Sequence, residues 1–257
     1  MLQLIDANNE YRRRLEVDAS GLTIRNLLDE VDLMTRSKDV VVLVWDGFDC
    51  NKRRRDIYPA YKSKRKAGLN AENIFASIKF CKELLKYTAA IQVEVPGYEA
   101  DDVIATLTEQ YMGHMPIRIV SNDGDYLQLG VPTTRETDYG VPANLIRLYK
   151  TCVGDPSDNI PGIRGFGAKT WETVDKALLE DAVLGAIYSR PNAPTLYDVP
   201  NVPKTSANWF HNNVDEMIQM WTIVGFIPVP KVDIEINSTV GKPHRPAIEA
   251  ALREFML

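Results

Sequence analysis

A chain of 257 residues, 45% hydrophobic and 25% charged with a formal charge of −5, has the make-up of a globular protein able to bury its own core. Its longest apolar run, Val40-Val41-Val42-Leu43-Val44-Trp45, falls far short of the roughly 20 residues a membrane span needs. The start, Met1-Leu2-Gln3-Leu4-Ile5-Asp6, turns acidic too soon for a signal peptide, so an intracellular (cytoplasmic) protein is expected, with no membrane partner.

Leu2 to Ile5 reads as a short strand ending at Asp6, and apolar spacing from Leu22 to Met34 predicts a helix. The β-branched run Val40–Trp45 predicts a buried parallel strand ending at Asp46-Gly47. Residues 48–70 are polar, strongly basic and contain Pro59, which predicts a loop or a partly ordered segment. A helix is expected over Ala71 to Thr88, a strand over Ile91 to Val95, a helix over Glu99 to Tyr111 and a strand over Ile117 to Val120. This alternation implies a mostly parallel α/β sheet flanked by helices. Beyond about residue 150 the glycines at 154, 162, 165 and 167 lead into an expected helix, Ala168 to Leu179. Val214 to Val224 reads as a further helix, Pro191 to Pro203 as a surface loop, and Pro228 onward as an extended stretch packing back on the main body.

Cys50, Cys81 and Cys152 are widely spaced and never form CxxC, which argues against a disulfide framework or zinc site. His114, His211 and His244 lie outside any acidic or glycine-rich constellation. The acids are different. Asp6, Asp46 and Asp123 fall at predicted strand ends, where open parallel sheets place their ligands. Glu99-Ala100-Asp101-Asp102, Asp123-Gly124-Asp125 and Asp155-Pro156-Ser157-Asp158 add more. Glu99 and Asp102 stand three apart on a helix, and Asp155 and Asp158 repeat the spacing. One aspartate after a strand is often only a cap or turn residue. Several together repel unless a cation intervenes, and an all-oxygen donor set suits Mg²⁺ or Mn²⁺.

Cations gather at Arg12-Arg13-Arg14, at Lys52-Arg53-Arg54-Arg55 and from Lys62 to Lys66. The segment from Asn51 to Lys66 also carries Tyr58 and Tyr61, so it is either a solvated basic loop or a surface for phosphates and unpaired bases. Gly162-Ile163-Arg164-Gly165-Phe166-Gly167-Ala168-Lys169-Thr170 offers glycines for close backbone approach and a helix start for an anion. No strand precedes it and the Walker order is absent, so a helix-hairpin-helix type of DNA clamp fits better than a nucleotide loop.

These residues resemble the 5′ nuclease (flap endonuclease) family. That family includes the 5′-exonuclease domain of bacterial DNA polymerase I and the free-standing bacteriophage 5′–3′ exonucleases. LIDAN at Asp6, WDG at Asp46 and YKSKR at Tyr61 to Arg65 carry the resemblance. So do VPGYEADDVIATL from Val95, SNDGDYLQL from Ser121, GDPSDNIPGIRGFGAKT from Gly154 and MWTIVGFIPVPKVDIEI from Met220. It departs at Gly124, where many relatives carry lysine.

The resemblance implies a PIN-like sheet core over residues 1–150, with a basic arch or gateway at about 48–70. A helical helix-hairpin-helix type C-terminal region, with a tail packing on the core, would occupy 151–257. It implies structure-specific hydrolysis of DNA by two Mg²⁺ (or Mn²⁺) ions. Asp6, Asp46, Glu99, Asp101 and Asp102 would surround the first ion, with Asp123 near both. Asp125, Asp155 and Asp158 would serve the second. Lys62 and Arg65 would grip the scissile phosphate, with Asp123 the third catalytic residue. Arg13, Tyr61, Lys62 and Arg65 would contact DNA together with Gly162, Arg164, Gly165, Gly167, Lys169 and Thr170, and K⁺ would sit at the hairpin. The implied partners are DNA with 5′ flaps, nicks or 5′ ends and RNA–DNA hybrids, met by a monomer in replication, primer removal or recombination. A phage origin without a polymerase, hence a host-cytoplasm location, is expected on the same ground. The rival readings are a PIN-like ribonuclease and a non-catalytic binder of branched DNA.

Overall fold

In the computed structural model, residues 1–64, 70–135 and 140–255 are described. Strand β1 (Leu2–Asp6) is buried along its whole length, and Asp6 caps the helix that follows, α1 (Ala7–Val17). Ala7, Tyr11 and Leu15 recur every four residues and supply its buried stripe. The remaining residues of α1 are mostly polar, which hid it from periodicity; Arg12 pairs with Glu16, and Arg14 with the buried Glu10 and with Glu30. Helix α2 (Gly21–Arg36) is capped by Ser20 and leads to β2 (Val40–Trp45).

Residues 48–70 are not simply a loop. Helix α3 (Lys52–Ile57) forms there, followed by turns through residue 64. Then come α4 (Ala71–Leu85), β3 (Ile91–Glu94), α5 (Ala100–Tyr111) and β4 (Ile117–Val120), close to expectation. A 3₁₀ turn, Gly124–Leu129, follows β4, and α6 (Ile146–Val153) precedes the glycine-rich stretch.

The helix expected over Ala168 to Leu179 is two: α7 (Ala168–Thr173) and α8 (Lys176–Ile187). Val174 is extended, and the Asp175 carboxylate caps α8 by accepting from the Ala177 and Leu178 N–H groups at 2.9 and 3.0 Å. Helices α9 (Lys204–Asn212) and α10 (Val214–Val224) follow. The tail expected to be extended folds as α11 (Lys231–Ile236), β5 (Ser238–Val240) and α12 (Arg245–Phe255). Pro230 stands directly before α11, where its missing N–H costs nothing. Among the described residues no helix is long and apolar enough to cross a membrane.

The sheet runs β4-β1-β2-β3-β5, parallel except for β5, which closes the β3 edge antiparallel. Packing divides the chain into two units. The first comprises Met1–Cys50, Lys66–Tyr139 and Pro228–Leu257; the second comprises Asn51–Arg65 and Gly140–Ile227. The first unit's core gathers Ile5, Tyr11, Leu15, Leu28, Leu43 and Trp45 against Cys81, Leu85, Ile248 and Leu252. Trp45 satisfies its indole N–H on Gln92 Oε1 at 3.0 Å.

The second unit's core holds Leu148, Phe166, Trp171, Phe210, Met217 and Tyr61. Tyr61 is only 2% exposed, so it is a core residue and its ring faces cannot receive a base. Arg54 is likewise structural: its guanidinium is buried and donates to the Ile223 and Gly225 carbonyls at 3.1 and 3.3 Å.

Candidate metal centre

Asp6, the last paired residue of β1, and Asp46, the first residue past β2, stand at the carboxyl ends of adjacent parallel strands, where open sheets place their ligands. Asp6 is 7% exposed. Its Oδ1 accepts from the Asn9 N–H at 3.1 Å, and its Oδ2 accepts from the Tyr126 hydroxyl at 2.9 Å and Ser121 Oγ at 3.4 Å. None of these donors carries positive charge. Burial, joined by the fields of Asp46 and then Asp123, outweighs them and pushes the Asp6 carboxyl up to about 8.

Asp46 ties two helices to the site. Its Oδ2 accepts from Asn8 Nδ2 at 2.8 Å in α1, and its Oδ1 accepts from the Ala100 N–H at 2.9 Å at the start of α5. Glu99 immediately precedes α5 and is buried, Asp101 is half-buried, and Asp102 is buried within the first turn. Ser121 continues the chain of contacts: the Asp123 N–H donates to its Oγ at 3.2 Å. The exposed Asp123 accepts from the Asp125 N–H at 2.9 Å, opening the 3₁₀ turn that brings Tyr126 onto Asp6. Burial raises the Tyr126 hydroxyl well above its ordinary range, helped by Asp6, Asp101 and Asp123.

Among the described residues no group of three or more His, Cys, Asp or Glu side chains is drawn close enough to enclose a cation. Asp6, Asp46 and Asp123 are each turned to their own donors, whereas the buried Asp101 Oδ1 and Asp125 Oδ1 accept no hydrogen bond among the described residues. The donor chemistry nonetheless fits a hard divalent ion: the ligands are all oxygen, Asp6, Glu99 and Asp102 are buried, and Asp6 receives only neutral donors while pressed by two neighbouring acids.

Asp155 and Asp158 belong to the second unit and do not lie on a helix; they occupy a turn closed by an Asp155–Ile160 bridge. Burial would raise Asp155, but a 2.8 Å ion pair with Lys150 and hydrogen bonds from Ser157 hold it below the usual carboxylate range. Asp155 thus has a resident counter-charge. Lys62 sits at φ 51° with its N–H donating to the Asp158 carbonyl at 3.0 Å and its Nζ 4.8 Å from the Tyr61 ring centre. Arg65 lies outside the described residues.

Arg13 is half-exposed and bonded to both Glu10 oxygens at 2.9 and 3.0 Å. With Asn9, Arg12, Glu16 and Asn122 it lines a depression of about 210 Å³. In the glycine stretch, Gly162 (φ 69°) is packed so tightly that a Cβ would meet the Val153 carbonyl carbon and the Gly154 nitrogen at 2.6 Å. Ile163 and Phe166 anchor this segment inward, leaving Arg164, Gly165, Gly167 and Lys169 exposed and Thr170 partly so.

The cysteines form no disulfide, and burial pushes the Cys81 thiol up to about 12, leaving it inert at neutral pH. Sequence reasoning missed Asn8, Ser121, Tyr126 and Lys150. The first three lie inside motifs it singled out, but their roles depend on reach across the sheet ends.

A family model described as "5′-3′ exonuclease, N-terminal resolvase-like domain" matches residues 6–149. The chain is 36% identical over 146 residues to a 5′-3′ exonuclease of Aquifex aeolicus, covering 51% of this chain and 50% of that one. It is 35% identical over 147 residues to the thermostable DNA polymerase I of Thermus thermophilus, covering 51% of this chain and 17% of that one. It therefore spans half or less of the length of these curated relatives. A solved structure of a bacteriophage T5 D15 flap endonuclease in a complex with DNA and metal ions shares the fold. The TM-score is 0.63 at 17% identity, over 99% of this chain and 97% of that one.

Proposed function

Since the chain belongs to the 5′-3′ exonuclease family defined by the N-terminal resolvase-like domain, we propose that it is a metal-dependent 5′ nuclease that hydrolyses DNA phosphodiester bonds at 5′ flaps, nicks and 5′ ends. One observation carries the reading: Asp6, buried at the end of β1, is electrostatically coupled to Asp46 and Asp123 while receiving only neutral hydrogen-bond donors. Such an arrangement is costly in a metal-free protein and is relieved by a cation.

Asp6, Asp46, Glu99, Asp101 and Asp102 would hold one divalent ion, Mg²⁺ or Mn²⁺, with Asp123 shared. By the resemblance of the sequence motifs, Asp125, Asp155 and Asp158 would serve a second ion. When bound, such ions supply an activated water and stabilise the leaving oxygen of a phosphodiester. The chain's own residues do the rest. Tyr126 and Ser121 fix the Asp6 carboxylate through hydrogen bonds, and Asn8 with the Ala100 N–H fixes Asp46. Lys62 and Arg65 would offset charge developing on the phosphoryl oxygens. Arg13, and the exposed Arg164 and Lys169 of the hairpin, would hold the DNA backbone, with K⁺ bound by hairpin carbonyls. The enzyme would act as a monomer inside the cell, on flaps and RNA–DNA hybrids arising in replication, primer removal or recombination.

The test is incubation of 5′-labelled flap DNA, nicked duplex and single-stranded RNA with Mg²⁺, against an EDTA control. Metal-dependent release of short 5′ fragments from DNA is expected. Tight flap binding without cleavage would instead make the protein a junction binder, and cleavage confined to RNA would make it a ribonuclease.

A further inference from the structure

Among the described residues Phe48 is the most exposed aromatic side chain, with 83% of its surface open to solvent. It occupies the second position of the turn Gly47-Phe48-Asp49-Cys50, closed by the Cys50 N–H donating to the Gly47 carbonyl at 3.1 Å, with Asp49 left-handed at φ 53°. Turn tips ordinarily carry glycine or polar residues, which water solvates without cost.

The backbone that displays this ring is fixed. The Gly47 N–H donates to the Tyr98 carbonyl at 3.0 Å, and the Phe48 carbonyl accepts from the Gly97 N–H at 2.8 Å. A Cβ on Gly47 would fall 1.8 Å from the Val95 carbonyl oxygen, so the turn presses on residues 95–98 without slack. Phe48 is therefore two residues from Asp46 in sequence, and its carbonyl is bonded two residues short of Glu99.

Without bound cations these carboxylates repel the phosphates of an approaching strand, so they do not hold it in place by themselves. An aromatic face offers a hold independent of charge, and every nucleobase has a matching face. We propose that Phe48 stacks on the unpaired nucleobase beside the phosphodiester to be cut and so sets the position of the strand over the acids. This rests on the nuclease reading above. The contact is sequence-tolerant and specific to unpaired bases, since a paired base presents its faces to its neighbours.

The experiment uses the full chain and 5′-flap DNA carrying 2-aminopurine at the junction. Fluorescence is read in EDTA, and single-turnover cleavage is read with Mg²⁺. Phe48→Ala and Phe48→Leu should each lose the protein-induced quenching and about ten-fold in cleavage at subsaturating enzyme, and Phe48→Tyr should retain both. The leucine variant separates the aromatic face from mere apolar bulk. Equal quenching and cleavage by wild type, alanine and leucine variants would overturn the inference while leaving the nuclease reading intact. A wild type that never cleaves DNA with Mg²⁺ would overturn the nuclease reading. The quenching comparison would then still decide whether Phe48 stacks on a bound base. Unchanged thermal midpoints would verify that the exposed site was altered without disturbing the fold.

Discussion

Replacing Asp6 by asparagine should stabilise the metal-free protein while abolishing its cleavage of DNA. Asparagine is nearly isosteric and can keep the hydrogen bond from the Asn9 N–H, but it cannot ionise. In the folded chain the Asp6 carboxyl titrates at about 8, against an ordinary 3.8. The folded state thus holds this proton more tightly than the unfolded one. Stability from the group is complete below about pH 4 and is lost as pH rises towards 8. At neutral pH the unfolded chain gains about three pH units of ionisation that the folded chain forgoes. At about 1.4 kcal/mol per unit, that caps the penalty near 4 kcal/mol, and relaxation of the site brings the expected value to about 2–4 kcal/mol. Urea melts followed by circular dichroism in EDTA, at about pH 5 and about pH 8, read this difference directly. The gap between Asp6→Asn and wild type should widen with pH. Added Mg²⁺ should then stabilise the wild type and not the variant. Parallel pH profiles for the two proteins would refute the claim that Asp6 is buried short of positive charge.

Three further outcomes follow from particular contacts. Gly162→Ala should cost about 2–4 kcal/mol in urea melts, because φ is 69° and the new Cβ meets backbone atoms at 2.6 Å. Gly167→Ala, where a Cβ meets nothing within 4 Å, should leave the midpoint nearly unchanged. Lys150→Met should destabilise by about 2 kcal/mol by leaving Asp155 without its ion pair. Because Asp155 is held below its ordinary value, the wild type's gain is present above about pH 4 and lost on acidification, so the variant should lose less stability across that range in acid urea melts. Lys62→Ala should slow single-turnover flap cleavage about 100-fold while leaving the Mg²⁺-induced rise in thermal midpoint intact.

The parallel sheet was legible because strands buried on both sides must be apolar throughout, as in Val40–Trp45, and because an acid ends three of them. Helix α1 was not legible: Ala7, Tyr11 and Leu15 are too few against Asn8, Asn9 and three arginines for periodicity to register. Tyr61 was misread because a tyrosine among cations suits a base-stacking surface equally well, and only packing shows that it belongs to a core. Asp6, Asp46 and Asp123 could be found from strand ends alone. The pairing of Asp6 with Tyr126, 120 positions away in sequence, and of Asp155 with Lys150 could not, since both depend on where the chain returns. The break at Val174–Asp175 escaped for a local reason: an aspartate inside an apolar period reads as one polar position, not as a new cap.

The return of residues 228–257 to the first unit alters what truncation would do. Removing them strips β5 from β3 and turns an internal strand into an open edge. Such an edge invites pairing with another molecule. The loss would also uncover the core around Leu28 and Leu85, against which Ile248 and Leu252 are clustered. A shortened chain that retained every acid of the family motifs in the first unit would therefore be prone to self-association, and its solubility would fail before its chemistry could be assayed.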